Sequence, residues 1–246
     1  MKVIKKFFSI AFLGIFTAKI CLFPANLAFA NTDTTSPVFE KITLKSSNTK
    51  NPNFAKEGDK ITMSLFIDPE DSWKKGNNVT FVIGAGSAQK TKNYTESKNT
   101  PIKSRNRNYK IKQGENGEII FTDIYFQDKA GNMIVGFPQK YEPKQKIVVD
   151  TIIPKVSFVK DISSDTQKSS EITIQVEDLH PDEASYKYGF SENTTCDANV
   201  DYNGSFVSGV SFSLNDATKN GKYLCVKAED QAGNVSYKSS KNPLNL

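Results

Sequence analysis

Few residue types that do chemistry unaided occur in this 246-residue sequence, and their spacing is poor for it. The one histidine, His180, stands between Leu179 and Pro181, so any serine–histidine–aspartate relay would have to run through it. Its neighbours place it in a loop, where a solvated imidazole is the expectation. Glu177 with Asp178 and Asp182 with Glu183 are paired carboxylates, but adjacent acids in loops are ordinarily solvated. Gly84-Ala85-Gly86 lacks the following Lys-Ser/Thr, and the strand-to-helix setting, of a phosphate cradle. No enzyme is expected from this inventory, and no cofactor.

Two cysteines carry the remaining chemistry, once the N-terminus is understood. Lys2, Lys5 and Lys6 precede an apolar run from Phe7 to Phe16, and Ala28-Phe29-Ala30 offers the small-x-small pattern of signal peptidase. Residues 1–30 read as a signal peptide cleaved before Asn31. Lys19 and Pro24 interrupt a longer span, and Lys19-Ile20 before Cys21 does not resemble a lipobox. Cleavage would remove Cys21 and leave Cys196 and Cys225, an even pair in an oxidising compartment. A Cys196–Cys225 disulfide would close a loop of about 30 residues, worth roughly 3 to 4 kcal/mol in the chain-entropy model. A zinc site would want more Cys or His ligands, so no metal is expected there.

Charge changes with the same cut. Lys2, Lys5, Lys6 and Lys19 leave the 32 bases, so 28 face 27 acids in the mature chain. The basic balance belongs to the targeting segment, and nucleic acid is not an expected partner. The C-terminus, Asn242-Pro243-Leu244-Asn245-Leu246, shows no apolar tail or sorting motif, so no membrane span is expected in the mature chain.

The elements that position these residues repeat. Asp33-Thr34-Thr35-Ser36-Pro37 matches Asp150-Thr151-Ile152-Ile153-Pro154, and Asp128-Lys129-Ala130-Gly131-Asn132 matches Asp230-Gln231-Ala232-Gly233-Asn234, in the same order. Such ordered self-similarity marks tandem copies of one unit. The expected division is 31–149 and 150–246, with extra length in the first unit around 84–117. Period-two alternation in Glu171–Glu177 and Lys60–Leu65 gives strands with one wet face, and no capped amphipathic helix follows the leader. In each Asp-x-Ala-Gly-Asn word, Gly131 and Gly233 permit positive φ, Asn132 and Asn234 tolerate similar angles, and Asp128 and Asp230 can accept backbone N–H bonds. A tight hairpin turn is expected, in preference to calcium binding by the same oxygens. Leu224, Val226 and Ala228 share one strand face, matched by Ile124 and Phe126. Cys225 falls on the opposite face, so the disulfide should be peripheral.

On the two Asp-Thr-x-x-Pro segments and on Tyr223–Asn234, the chain resembles the bacterial immunoglobulin-like domains found as tandem modules of surface and secreted proteins. The resemblance implies an all-β fold of two seven-stranded sandwiches, used as spacer or adhesive modules, with no catalytic residues. The cysteine pair departs from the immunoglobulin pattern, in which a disulfide joins the sheets beside a tryptophan. Trp73 lies in a polar loop and cannot fill that place. The function expected is a non-enzymatic module at the cell surface or in the medium, bound to a protein or glycan. A carbohydrate-binding sandwich is the alternative, with Tyr94, Trp73 and Tyr109 as stacking platforms.

Overall fold

The computed structural model describes residues 33–37, 39–67, 76–84, 89–95, 104–128, 130–135 and 143–246. The leader and Trp73 lie outside the described residues. Among those described, the chain is all-β, and no helix is long and apolar enough to cross a membrane.

The first sandwich is built from β1 (Phe39–Ser46), β2 (Phe54–Ala55), β3 (Lys60–Ile67), β4 (Asn78–Ile83), β5 (Lys90–Thr95), β6 (Ser104–Lys110), β7 (Gly117–Gln127), β8 (Met133–Val135) and β9 (Val148–Val149). One sheet has the order β1-β3-β6; the other runs β2-β9-β7-β4-β5, with β8 also pairing β7. Alternation fixes which face is inward: Ile61, Met63, Leu65 and Ile67 of β3 are buried, with Thr62, Ser64 and Phe66 between them less so. They meet Val79, Phe81 and Ile83 of β4 and Ile119, Phe121, Ile124 and Phe126 of β7 in one cluster. β7 changes phase in mid-strand, because Thr80 faces Asp123 while Phe81 faces Phe121, leaving Thr122 as an extra residue. That bulge lets Phe121 and Ile124, three apart, both point into the core.

The second sandwich repeats the plan with β10 (Lys155–Lys160), β11 (Ser170–Glu177), β12 (Lys187–Ser191), β13 (Gly204–Ser205), β14 (Ser211–Leu214), β15 (Tyr223–Glu229) and β16 (Val235–Pro243). Its sheets are β10-β11-β14 and β13-β12-β15-β16. Sequence order across the two sheets is first, second and fifth strand against fourth, third, sixth and seventh, an immunoglobulin-type order. Ile172, Ile174 and Val176 meet Leu224, Val226 and Ala228 in a second cluster. Burying side chains of this size stabilises by about 1.5 to 3 kcal/mol each before entropy is counted.

The described part of 84–117 includes β5 and β6. Residues 84–116 between β4 and β7 number 33, against 31 in 192–222 between β12 and β15, which carry β13 and β14. The first sandwich has extra length between β1 and β3, where residues 47–59 carry β2, against residues 161–169 between β10 and β11.

Candidate functional site

The two Asp-x-Ala-Gly-Asn words adopt one geometry. Gly131 has φ +101° and Gly233 φ +85°, in the left-handed region that glycine alone enters cheaply. The Asp128 Oδ1 accepts from Gly131 N at 2.7 Å and Asn132 N at 2.9 Å, and its Oδ2 accepts from Asn132 Nδ2 at 2.9 Å. Asp230 does the same work, accepting Asn234 N at 2.9 Å and Asn234 Nδ2 at 2.7 Å. Asp230 N donates to Asn234 O at 3.1 Å, and Asp128 N to Asn132 O at 3.0 Å. These bonds satisfy buried backbone groups that would otherwise be costly.

The surroundings differ, and so do the carboxylates. At Asp128, burial works upward, but the Asn132 side chain and the N–H groups of Asn132, Gly131 and Ala130 outweigh it and hold the carboxyl below its usual range. At Asp230, burial prevails over the Asn234 bonds and the nearby Asp150 adds to it, so that carboxyl is pushed up.

Asp150 is near because the second turn is gripped by the first sandwich and by the linker. Asn48, buried in the β1–β3 connection, donates Nδ2 to Ala232 O at 2.8 Å and to Asp59 Oδ2 at 2.8 Å. Lys56 Nζ donates to Gly233 O at 2.5 Å. Lys50 Nζ lies 2.8 Å from Asp182 Oδ2 and 2.9 Å from Glu229 Oε1. Burial opposes the charge on Lys50, but those two acids prevail and raise it above the usual lysine range. Asn234 Nδ2 also donates to Asp150 O at 3.0 Å. The linker is fixed from the other side, where Thr151 N and Oγ1 meet Asn116 Oδ1 at 2.7 and 3.0 Å and Gly114 N donates to Thr151 Oγ1 at 3.0 Å. None of these grips was visible in the sequence. The available signal was the word Asp-Thr-x-x-Pro itself, whose Asp is exposed at Asp33 and buried at Asp150.

His180 corrects the expectation of a solvated loop histidine. Its side chain is 25% exposed, with Nδ1 2.8 Å from Asp150 Oδ2 and the ring edge-on to Phe54 at 5.2 Å. It is a structural plug in the joint. Asp150, Asp178 and Asp230 each place one carboxylate oxygen within 4.8 Å of the others. Oxygen donors at that spacing suit a hard cation. The same three carboxylates already accept Ile152 N, His180 N and the Asn234 bonds. Burial and the charges of Asp230 and Asp150 push Asp178 up, His180 N acting against them.

The aromatic platforms are spent elsewhere. Tyr94 and Tyr109 are half-buried, each ring centroid 6.0 Å from that of Phe81 in the first core. Tyr94 Oη donates to Asn108 O at 2.8 Å, and Tyr109 Oη donates to Glu115 Oε1, which Lys92 Nζ also meets at 2.8 Å. They close the sandwich between β5 and β6 rather than stand free as stacking faces.

The Cys196–Cys225 disulfide is present, with Cα atoms 5.5 Å apart. Cys225 is fully buried yet outside the second core cluster, because its strand neighbours Leu224 and Val226 take the inward face. The cover over it is the 192–203 segment. A Cβ at Gly189 would lie 2.2 Å from Asp201 O, so that segment packs directly on the β12 backbone. Tyr202 lies 5.8 Å from Tyr237, and burial pushes its hydroxyl up to about 12. The disulfide pins this cover to the outer face of one sheet.

No family model matches the chain, and no curated protein matches it. Among solved structures, the chain is similar to the two tandem V-type regions of VCBP3, a v-region-containing chitin binding protein, with a TM-score of 0.23 and 7% identity over 84% of this chain and 100% of that one. A likeness of that size says nothing of what this chain binds.

Proposed function

We propose that this chain is a non-enzymatic extracytoplasmic module, a spacer or adhesive arm in which sandwiches 31–149 and 150–246 are held at a fixed angle. The observation that carries the reading is the joint: Asn48, Lys50 and Lys56 of one sandwich grip the turn and neighbouring acids of the other. A flexible tether would leave the linker and these side chains in water, whereas here Asp150 and Thr151 are buried. The single histidine is held in that joint by Asp150 and Phe54. The disulfide favours an oxidising compartment, in keeping with export by a leader ending at Ala30. Fractionation with N-terminal sequencing tests export, the expected product beginning at Asn31 in the envelope or medium. Retention in the cytoplasm, or reproducible hydrolysis of peptide or glycan substrates by the purified chain, would overturn the reading.

A glycan partner is the second reading. It is favoured by a cleft of about 280 Å³ in the second sandwich, where Asp201, Asn203, Asp216 and Lys219 offer hydrogen bonds beside Tyr188 and Phe190. Binding on a glycan array, abolished by Asn203→Ala, would support it. An array without hits would remove it.

A further inference from the structure

The joint that fixes the two sandwiches also leaves an apolar cleft of about 430 Å³ beside the linker. Ile152 and Ile153 stand over it, 56% and 58% exposed, and Leu179 adds a side chain 81% exposed. Single exposed apolar residues are ordinary, but three in one concavity form a patch that water wets poorly. Linker geometry does not demand them. At the matching positions of the first Asp-Thr-x-x-Pro segment stand Thr35 and Ser36, and both segments bury their proline. The cleft is held open by bonds already made: Thr151 is fixed by Asn116 and Gly114, Asp150 by Asn234 and His180. A ligand would find the walls in place and lose little to ordering them.

Charge narrows the ligand. Four carboxylates line the cleft, Glu118, Asp150, Glu177 and Asp178; Lys146 already meets Glu118 at 2.9 Å, Lys155 meets Glu177 at 2.9 Å and His180 meets Asp150 at 2.8 Å, so among the described residues Asp178 is the lining acid left to an arriving charge. Asp178 receives a backbone N–H from His180 and is repelled by Asp150 and Asp230. An arriving cation would relieve that repulsion, while an anion would add to it.

We propose that this cleft binds an extended protein segment presenting bulky apolar side chains beside lysine or arginine. The apolar side chains would cover Ile152, Ile153 and Leu179, and the cationic head would meet Asp178 at the rim. The proposal extends the spacer reading by giving the joint a ligand, and a rigid joint that binds no such segment would sink it while leaving that reading intact.

The test uses the mature chain and a labelled, end-capped octapeptide alternating leucine and arginine, followed by fluorescence anisotropy at 0.15 M salt. Octapeptides alternating leucine with glutamate, and serine with arginine, are the controls. The leucine–arginine peptide should bind at least tenfold more tightly than either control. The double variant Ile152→Thr, Ile153→Ser carries residues of the kind found in the first linker, and should weaken binding at least tenfold without moving Tm. Asp178→Asn should weaken it several-fold, and amide shift changes should centre on 150–155 and 177–180. Leu179→Ser provides the same readout should the double variant not fold. Equal affinity for all three peptides, unchanged affinity in the variants, shifts centred elsewhere, or no saturation at millimolar protein would each overturn the proposal. So would self-association of the chain that the double variant abolishes, since a second copy would then be the occupant.

Discussion

Breaking the Cys196–Cys225 bond should cost the second sandwich a definite amount. The residues are 29 apart in sequence, and the chain-entropy relation gives about 2.1 + 3.0 × ln 29, or roughly 12 cal/mol/K, which is about 3.6 kcal/mol at 25 °C. Native contacts remain after reduction, because the bond pins a cover on the outer sheet face and takes no part in the core cluster. The cost therefore falls on the unfolded state, and the double variant Cys196→Ser, Cys225→Ala should fold while losing about 3 kcal/mol. For a unit of this size, that corresponds to a Tm lower by roughly 10 to 20 °C. Urea denaturation followed by circular dichroism, with and without dithiothreitol, measures it. Reduced wild type should overlay the double variant, and dithiothreitol should not move the variant. A loss under 1 kcal/mol would show that loop closure is not what the bond contributes, and collapse of the native amide spectrum on reduction would make the bond a core element.

Asn48→Ala removes one side chain that donates to Ala232 O and Asp59 and accepts the N–H groups of Lys50 and Asn51. At about 1 kcal/mol for each group left unpaired, a loss of about 2 to 4 kcal/mol is expected by urea denaturation. Gly189→Ala drives a Cβ against Asp201 O, so a loss of about 1 to 3 kcal/mol is expected, with amide shifts spreading through 192–203. Asp128 has a depressed folded pKa, so its contribution is present above the ordinary carboxylate range and is lost as pH falls through the folded value. Asp128→Asn should therefore cost about 1 to 2 kcal/mol at pH 7 and progressively less below about pH 4, as thermal unfolding across that range will show.

Much of the architecture was legible because it is local. The alternation in Lys60–Leu65 and Glu171–Glu177 assigns Ile61, Met63, Ile172 and Ile174 to the core, and the neighbours of Cys225 fix its outward face. The bulge at Thr122 was not legible, since it breaks the two-residue period on which the reading rests. The site was less legible still. Asn48 meets Ala232 across 184 positions and Lys56 meets Gly233 across 177, and no local pattern encodes such contacts. The burial of His180 is not legible locally because Leu179 and Pro181 announce a loop, while Asp150 and Phe54, which hold it, lie far off in sequence. Tyr94 and Tyr109 stand among polar residues in the sequence, and it is Phe81, on the strand paired with that of Tyr94 and in the sheet opposite that of Tyr109, that claims them.

Residual dipolar couplings of the mature chain measure whether the joint holds the two sandwiches at one fixed angle. One alignment tensor should fit the amides of β1–β9 and β10–β16 alike, and the triple variant Asn48→Ala, Lys50→Met, Lys56→Met should need two. Two tensors of different magnitude in the wild-type chain would contradict it.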